Sequence, residues 1–142
     1  MSASPLLSNA AKEEVLPTRR HRVNQDLISR YAIVSGDHNP LHTDPAFAAT
    51  TLFGRTIAHG MMTLAFVSGA MSVWAGPAWD TSGTMDVTFL APVFPDDVVS
   101  IVGVVSASDH GERACSIKCT VGDRVVAVVE TRVFMERGAD HG

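Results

Sequence analysis

Asp37 and His42 stand five positions apart in the run Ser35-Gly36-Asp37-His38-Asn39-Pro40-Leu41-His42-Thr43-Asp44, a stretch dense in turn-forming residues. A carboxylate and an imidazole at this spacing can share one water molecule, the ring moving a proton while the carboxylate orients water or ring. The plainer alternative is that Asp37 caps a turn and His42 is satisfied by it. Further on, His59-Gly60 opens a charge-free stretch of helical character. The Gly60 amide at a helix start can donate to a developing oxyanion, and its missing side chain lets a carbonyl approach; a glycine needed only where helix meets sheet is the other reading. Ser68, two turns along, offers a hydroxyl to a ligand or to Asp37, or simply a small residue for packing. His38, His42, Asp44 and His59 are potential metal ligands. No pair has the helical setting of a zincin with its glutamate and no cysteine is near, so no metal is assigned.

The elements around these residues can be read from caps and periods. Asn24 sits where an N-cap belongs, Leu27, Ile28, Tyr31, Ala32 and Val34 recur at helical spacing, and Gly36 is a C-terminal stop, so a helix delivers Asp37 just past its end. Asn39-Pro40 is a turn signal, and Asp44-Pro45 opens a short helix through Ala49. Residues 61–75 are apolar nearly all round, which marks a helix surrounded by protein, and Gly76-Pro77 ends it. The period then changes to two. Thr84–Phe89, Val98–Ala107, Ala114–Val121 and Val125–Met135 read as four strands in hairpin order, with a turn at Asp109-His110-Gly111 and a two-residue hairpin at Gly122-Asp123. Arg20–Val23 adds a short strand. A buried helix followed by an antiparallel sheet is an α+β arrangement in which the sheet must curl around the helix. One such layer leaves edges and a helix flank bare, so a second copy is expected to complete it.

Length and composition fit one domain. The 142 residues are 46% hydrophobic and 18% charged, with net charge −4, which excludes disorder over most of the length and gives no general attraction to nucleic acid or anionic membranes. The cluster Arg19-Arg20-His21-Arg22 is a solvated strand end or a phosphate contact. Cys115 and Cys119 alternate with polar residues as small hydrophobes of a reducing compartment, and residues 1–17 lack signal-peptide character, so a cytoplasmic location is expected. The apolar stretch is too short to span a membrane. We expect a flexible arm over residues 1–18, one domain over 19–137 and a tail over 138–142. No nucleotide-binding glycine loop, nucleophile elbow or dinucleotide fingerprint is present.

The run from Ala32 to Asp44, followed by Phe53-Gly54-Arg55-Thr56-Ile57-Ala58-His59-Gly60-Met61-Met62, resembles the signature of MaoC-like (R)-specific enoyl-CoA hydratases, and Thr84–Pro95 is similar to the family's later strands. The resemblance implies a single hot dog fold, an antiparallel sheet wrapped around a long central helix, working as a homodimer. It implies reversible syn hydration of a trans-2-enoyl thioester to an (R)-3-hydroxyacyl-CoA, with Asp37 and His42 activating water. It places Gly60, Ser68, Asn39 and His59 around the oxyanion and substrate: the Gly60 amide on the thioester carbonyl, Ser68 near the aspartate, Asn39 supporting the loop. No cofactor is implied, since coenzyme A is part of the substrate. Acyl carrier protein in place of coenzyme A is the rival within enzymes, and a non-catalytic acyl-thioester binder is the rival outside them. A hot dog thioesterase, or a dehydratase with a helix-borne glutamate, would need an acidic residue on the central helix, and residues 61–75 carry none. Leu64, Phe66 and Trp74 are candidates for closing the acyl tunnel.

Overall fold

The computed structural model describes residues 14–107 and 109–135; the expected tail at 138–142 and residues 1–13 of the expected arm lie outside the described residues. In chain order the elements are β1 (Glu14–Val15), β2 (Arg19–Val23), α1 (Gln25–Ser35), α2 (Pro40–Thr43), α3 (Pro45–Ala48), α4 (Gly60–Ala75), α5 (Pro77–Ser82), β3 (Thr84–Phe89), β4 (Asp97–Ala107), β5 (Glu112–Val121) and β6 (Arg124–Phe134). All the strands belong to one antiparallel sheet in the order β1-β4-β5-β6-β3, with β2 also on β4. The three long strands β4, β5 and β6 present Val99, Ile101, Val105, Cys115, Ile117, Cys119, Val129 and Val133 to one buried face, and Met62, Leu64, Val67, Ala70 and Met71 of α4 fill it. The alternation is what a half-buried sheet demands, and burying the central helix on most of its circumference is what its charge-free sequence demands. The expected α+β plan, a sheet around a long helix, is the one observed.

Two expectations are corrected. The strand Thr84–Phe89 does not join its successor in a hairpin. It lies at the far edge of the sheet against the last strand, with Thr84 opposite Arg132 and Phe89 opposite Ala127, and the chain crosses from one side of the sheet to the other between β3 and β4. The turn residues after Phe89, including Pro92 and Pro95, supply that crossover. Residues 14–16 are not part of a flexible arm: Glu14 and Val15 pair with Val105 and Val104, and Leu16 is 2% exposed. Leu16 seats there because Gly103 leaves room; a Cβ on Gly103 would come within 2.9 Å of Leu16 and Ile117, and the Leu16 amide donates to the Gly103 carbonyl. Gly76-Pro77 does end α4, but Pro77 then serves as the first residue of α5, the position proline favours. Among the described residues no helix is long and apolar enough to cross a membrane.

Candidate active site

The loop carrying Asp37 is fixed from both ends by its own sequence. Asn24 caps α1 by accepting from the Leu27 amide, and Gly36 ends it in the left-handed conformation at φ 78°, its amide donating to the Ala32 carbonyl. Asp37 follows, and its Oδ1 accepts from the Asn39 amide at 3.2 Å. Asn39 in turn caps α2, accepting from the Leu41 amide at 3.0 Å with Pro40 behind it. One carboxylate oxygen of Asp37 is thus spent on the turn while Oδ2 is left to face His42. This joins the two readings of the pair: Asp37 caps a turn with one oxygen and approaches the imidazole with the other.

His42 Nε2 lies 3.8 Å from Asp37 Oδ2, with the His42 side chain 11% exposed and that of Asp37 53% exposed. This separation is too long for a direct hydrogen bond and short enough for one oxygen to touch both atoms. His42 Nδ1 donates to the Ile57 carbonyl at 2.8 Å, which fixes the tautomer and leaves Nε2 as the proton acceptor toward Asp37. Gln25 holds the segment from the other side. Its Nε2 donates to the His42 carbonyl at 2.9 Å, and its Oε1 accepts from Thr56 Oγ1 at 2.7 Å. Gln25, Thr56 and the Ile57 carbonyl went unread in the sequence because a glutamine in a first helical turn and a main-chain oxygen carry no pattern.

His59 is buried beside the pair. Its ring stacks on His42 with centroids 3.7 Å apart, meets Tyr31 edge-on, and Nε2 donates to the Asp37 carbonyl at 3.1 Å. Burial lowers its pKa below the usual histidine value, the bond to the Asp37 carbonyl opposes this, and neighbouring His42 lowers it further. Ligand atoms of Asp37, His42 and His59 fall within 4.8 Å of one another. His38 and Asp44 stand outside that group, and Asp44 caps α3 by accepting from the Ala46 and Phe47 amides.

Gly60 begins α4, and no side chain caps it; among the described residues no backbone carbonyl accepts from its amide. It faces a cleft of about 310 Å³ whose lining includes Phe53, His59, Gly60, Thr63, Phe89 and Leu90. A Cβ at Gly60 would stand 3.0 Å from the Phe89 ring, so the steric reading and the open amide both hold. Asp37 and His42 do not line this cleft within one chain; His59 is the residue common to cleft and pair. Ser68 is turned elsewhere: its Oγ accepts from Trp79 Nε1 at 2.9 Å. Leu64, Phe66 and Trp74 do not line the cleft either. Leu64 is in the core, Phe66 stacks on His21, and Trp74 donates to Glu14. The basic cluster of β2 is partly absorbed by the fold, with His21 on Phe66 and Arg22 paired to Asp96.

The chain is 34% identical over 112 residues to an (R)-specific enoyl-CoA hydratase of Aeromonas caviae, covering 79% of this chain and 75% of that one. It is 34% identical over 98 residues to a 3-hydroxybutyryl-CoA dehydratase of Methylorubrum extorquens, covering 68% and 62%. The solved (R)-hydratase from A. caviae involved in PHA biosynthesis superposes with a TM-score of 0.75 at 28% identity over 87% of this chain and 96% of that one. The architecture is therefore that of hot dog hydratases. With the model of the MaoC like domain matching residues 7–129, the chain belongs to the MaoC-like domain family.

Proposed function

We propose that the protein is an (R)-specific enoyl-CoA hydratase, adding water reversibly across a trans-2-enoyl thioester. The observation that carries the reading is the pair itself: His42 Nε2, freed as an acceptor by the Nδ1 bond to Ile57, stands 3.8 Å from Asp37 Oδ2. A water oxygen about 2.8 Å from each atom would subtend an angle of about 85°, close to what its two hydrogens can serve. His42 takes a proton from that water and its oxygen bonds to C3. The C2–C3 π electrons move onto the thioester oxygen, and as they return the His42 imidazolium delivers its proton to C2 from the same side, which gives syn addition and restores neutral His42. The enolate oxygen is held by the uncapped Gly60 amide, where the positive end of the α4 dipole lies. Asn39 keeps the loop in register, and His59 packs against the pair, while Ser68 is held by Trp79. Coenzyme A enters as part of the substrate, and the pair is assigned its role without a metal or other cofactor. The relatives named as a hydratase and as a dehydratase support both directions of one reaction.

A homodimer completes this reading. The edge strand β3 carries Met85 and Phe89 at 37% and 50% exposure, and Met61 and Val73 of α4 are also exposed, more bare apolar surface than a lone chain of this size should leave. A second copy over these faces would extend the cleft that Phe89 lines. The free, buried Cys115 and Cys119 suit a reducing cytoplasm. The test is loss of the enone absorbance of crotonyl-CoA on adding pure protein, with chiral analysis of the product. Steady absorbance while crotonyl-CoA raises the melting temperature would establish a thioester binder in place of an enzyme.

A further inference from the structure

We propose that His59 is the positioning residue of the Asp37/His42 pair, a neutral Nε2–H imidazole that ties the Asp37 main chain to the start of α4 and braces the plane of His42. The inference rests on the catalytic reading of that pair. Three contacts define the ring: Nε2–H to the Asp37 carbonyl at 3.1 Å, one face on His42 at 3.7 Å and 22°, and a Tyr31 edge at 4.9 Å and 61°. The residue is 2% exposed, and among the described residues its buried Nδ1 has no hydrogen-bond partner. An imidazole that donates from one nitrogen and has no acceptor at the other is held in a single neutral tautomer, because a proton on Nδ1 would be an unsatisfied buried donor.

The titratable groups facing this ring are Tyr31 from α1, Asp37 from the loop after α1, and His42 from α2. Protonating His59 would place a cation against His42, which must itself accept a proton. The stacked rings therefore divide the labour: His42 exchanges protons, and His59 stays neutral and holds position. The leverage lies in the anchor. The carbonyl that His59 grips belongs to the same residue as the reacting carboxylate, so slack there alters the 3.8 Å gap directly. Misplacement of about 1 Å in a reacting geometry can cost on the order of 10²-fold in rate.

His59→Phe keeps an aromatic ring for the stack and removes the N–H, whereas His59→Gln keeps an N–H at comparable reach. The expected result is a kcat for His59→Phe lower by about tenfold or more, with KM within about twofold, and recovery of most of that loss in His59→Gln. Nitrogen-15 spectra of the wild-type side chains should show His59 protonated at Nε2 only, unchanged from about pH 8 to about pH 5.5. A His59→Phe kcat near wild type, equal damage in both variants, or a His59 that titrates near pH 6.5 would each overturn the proposal. The spectra decide it even where a variant does not fold. They also separate it from the function: wild-type protein inert toward crotonyl-CoA defeats the hydratase reading alone, while an active wild type with a titrating His59 defeats only this one.

Discussion

The substitution Asp37→Asn isolates the charge of the pair from the shape of its loop. The amide oxygen it introduces can still accept from the Asn39 main chain, so the turn that Asp37 makes at 3.2 Å survives. What changes is the atom facing His42 Nε2 across 3.8 Å, an anionic acceptor replaced by a neutral donor. Such a group can no longer orient a water whose proton is bound for Nε2. General acid–base assistance is worth about 10²- to 10⁴-fold, so kcat/KM for crotonyl-CoA should fall by that factor, about 2.7 to 5.5 kcal/mol of transition-state stabilisation. Stability should hardly move, because a half-exposed carboxylate at a distance beyond hydrogen bonding contributes below about 1 kcal/mol to the fold. The two measurements together are decisive. Crotonyl-CoA turnover within about fivefold of wild type would refute the catalytic reading, and a loss of activity matched by a large fall in melting temperature would make Asp37 a structural cap.

Gly60→Ala should cut activity, since its Cβ at 3.0 Å from Phe89 displaces the ring that walls the cleft, while circular dichroism stays native. Leu16→Ala should destabilise by about 2–5 kcal/mol in urea titrations, the cost of emptying a fully packed site; a change under about 0.5 kcal/mol would return residues 14–16 to the arm. Burial, the larger cause, lowers the pKa of His21 and of His59 below the usual histidine value, with Arg19 adding to the effect at His21. The unfolded chain takes up protons there that the native one refuses, so stability should fall as pH drops below about 6.5. His21→Phe, which keeps a ring against Phe66, should flatten that slope in melts at different pH. Met61→Glu with Val73→Glu should convert a dimer in sedimentation experiments into a monomer; a wild-type monomer would defeat the two-copy reading.

Much of the scaffold was legible because it rests on local rules. Asn24, Gly36, Asp44-Pro45 and Gly122-Asp123 each mark an end or a turn through the conformation of one or two residues, and all four do so in the structure. The pairing of β3 with β6 was not legible, since alternation along Thr84–Phe89 says that a strand forms and not which neighbour takes it. The short helix Pro40–Thr43 was hidden inside a turn signal, because an asparagine before proline suits a turn and an N-cap equally. At the site, the signature carries Asp37 and His42, yet the tautomer of His42 is set by the Ile57 main chain, which any side chain at that position would offer. Ser68 reads as a hydroxyl near the catalytic aspartate, but Trp79, eleven residues on and past a helix break, claims it.

The seating of Thr84–Phe89 against the final strand has a consequence for how this chain is made. During synthesis the apolar helix and the edge strand emerge well before the segment ending at Phe134 that must lie between β3 and the other long strands. The nascent polypeptide therefore cannot close its sheet until residues 124–134 have left the ribosome, and until then a charge-free helix lacks its lid. Non-local pairing of this kind slows folding and lengthens exposure to aggregation. Truncations that remove residues 124–134 should yield insoluble chains even though every group assigned to the reaction is still encoded.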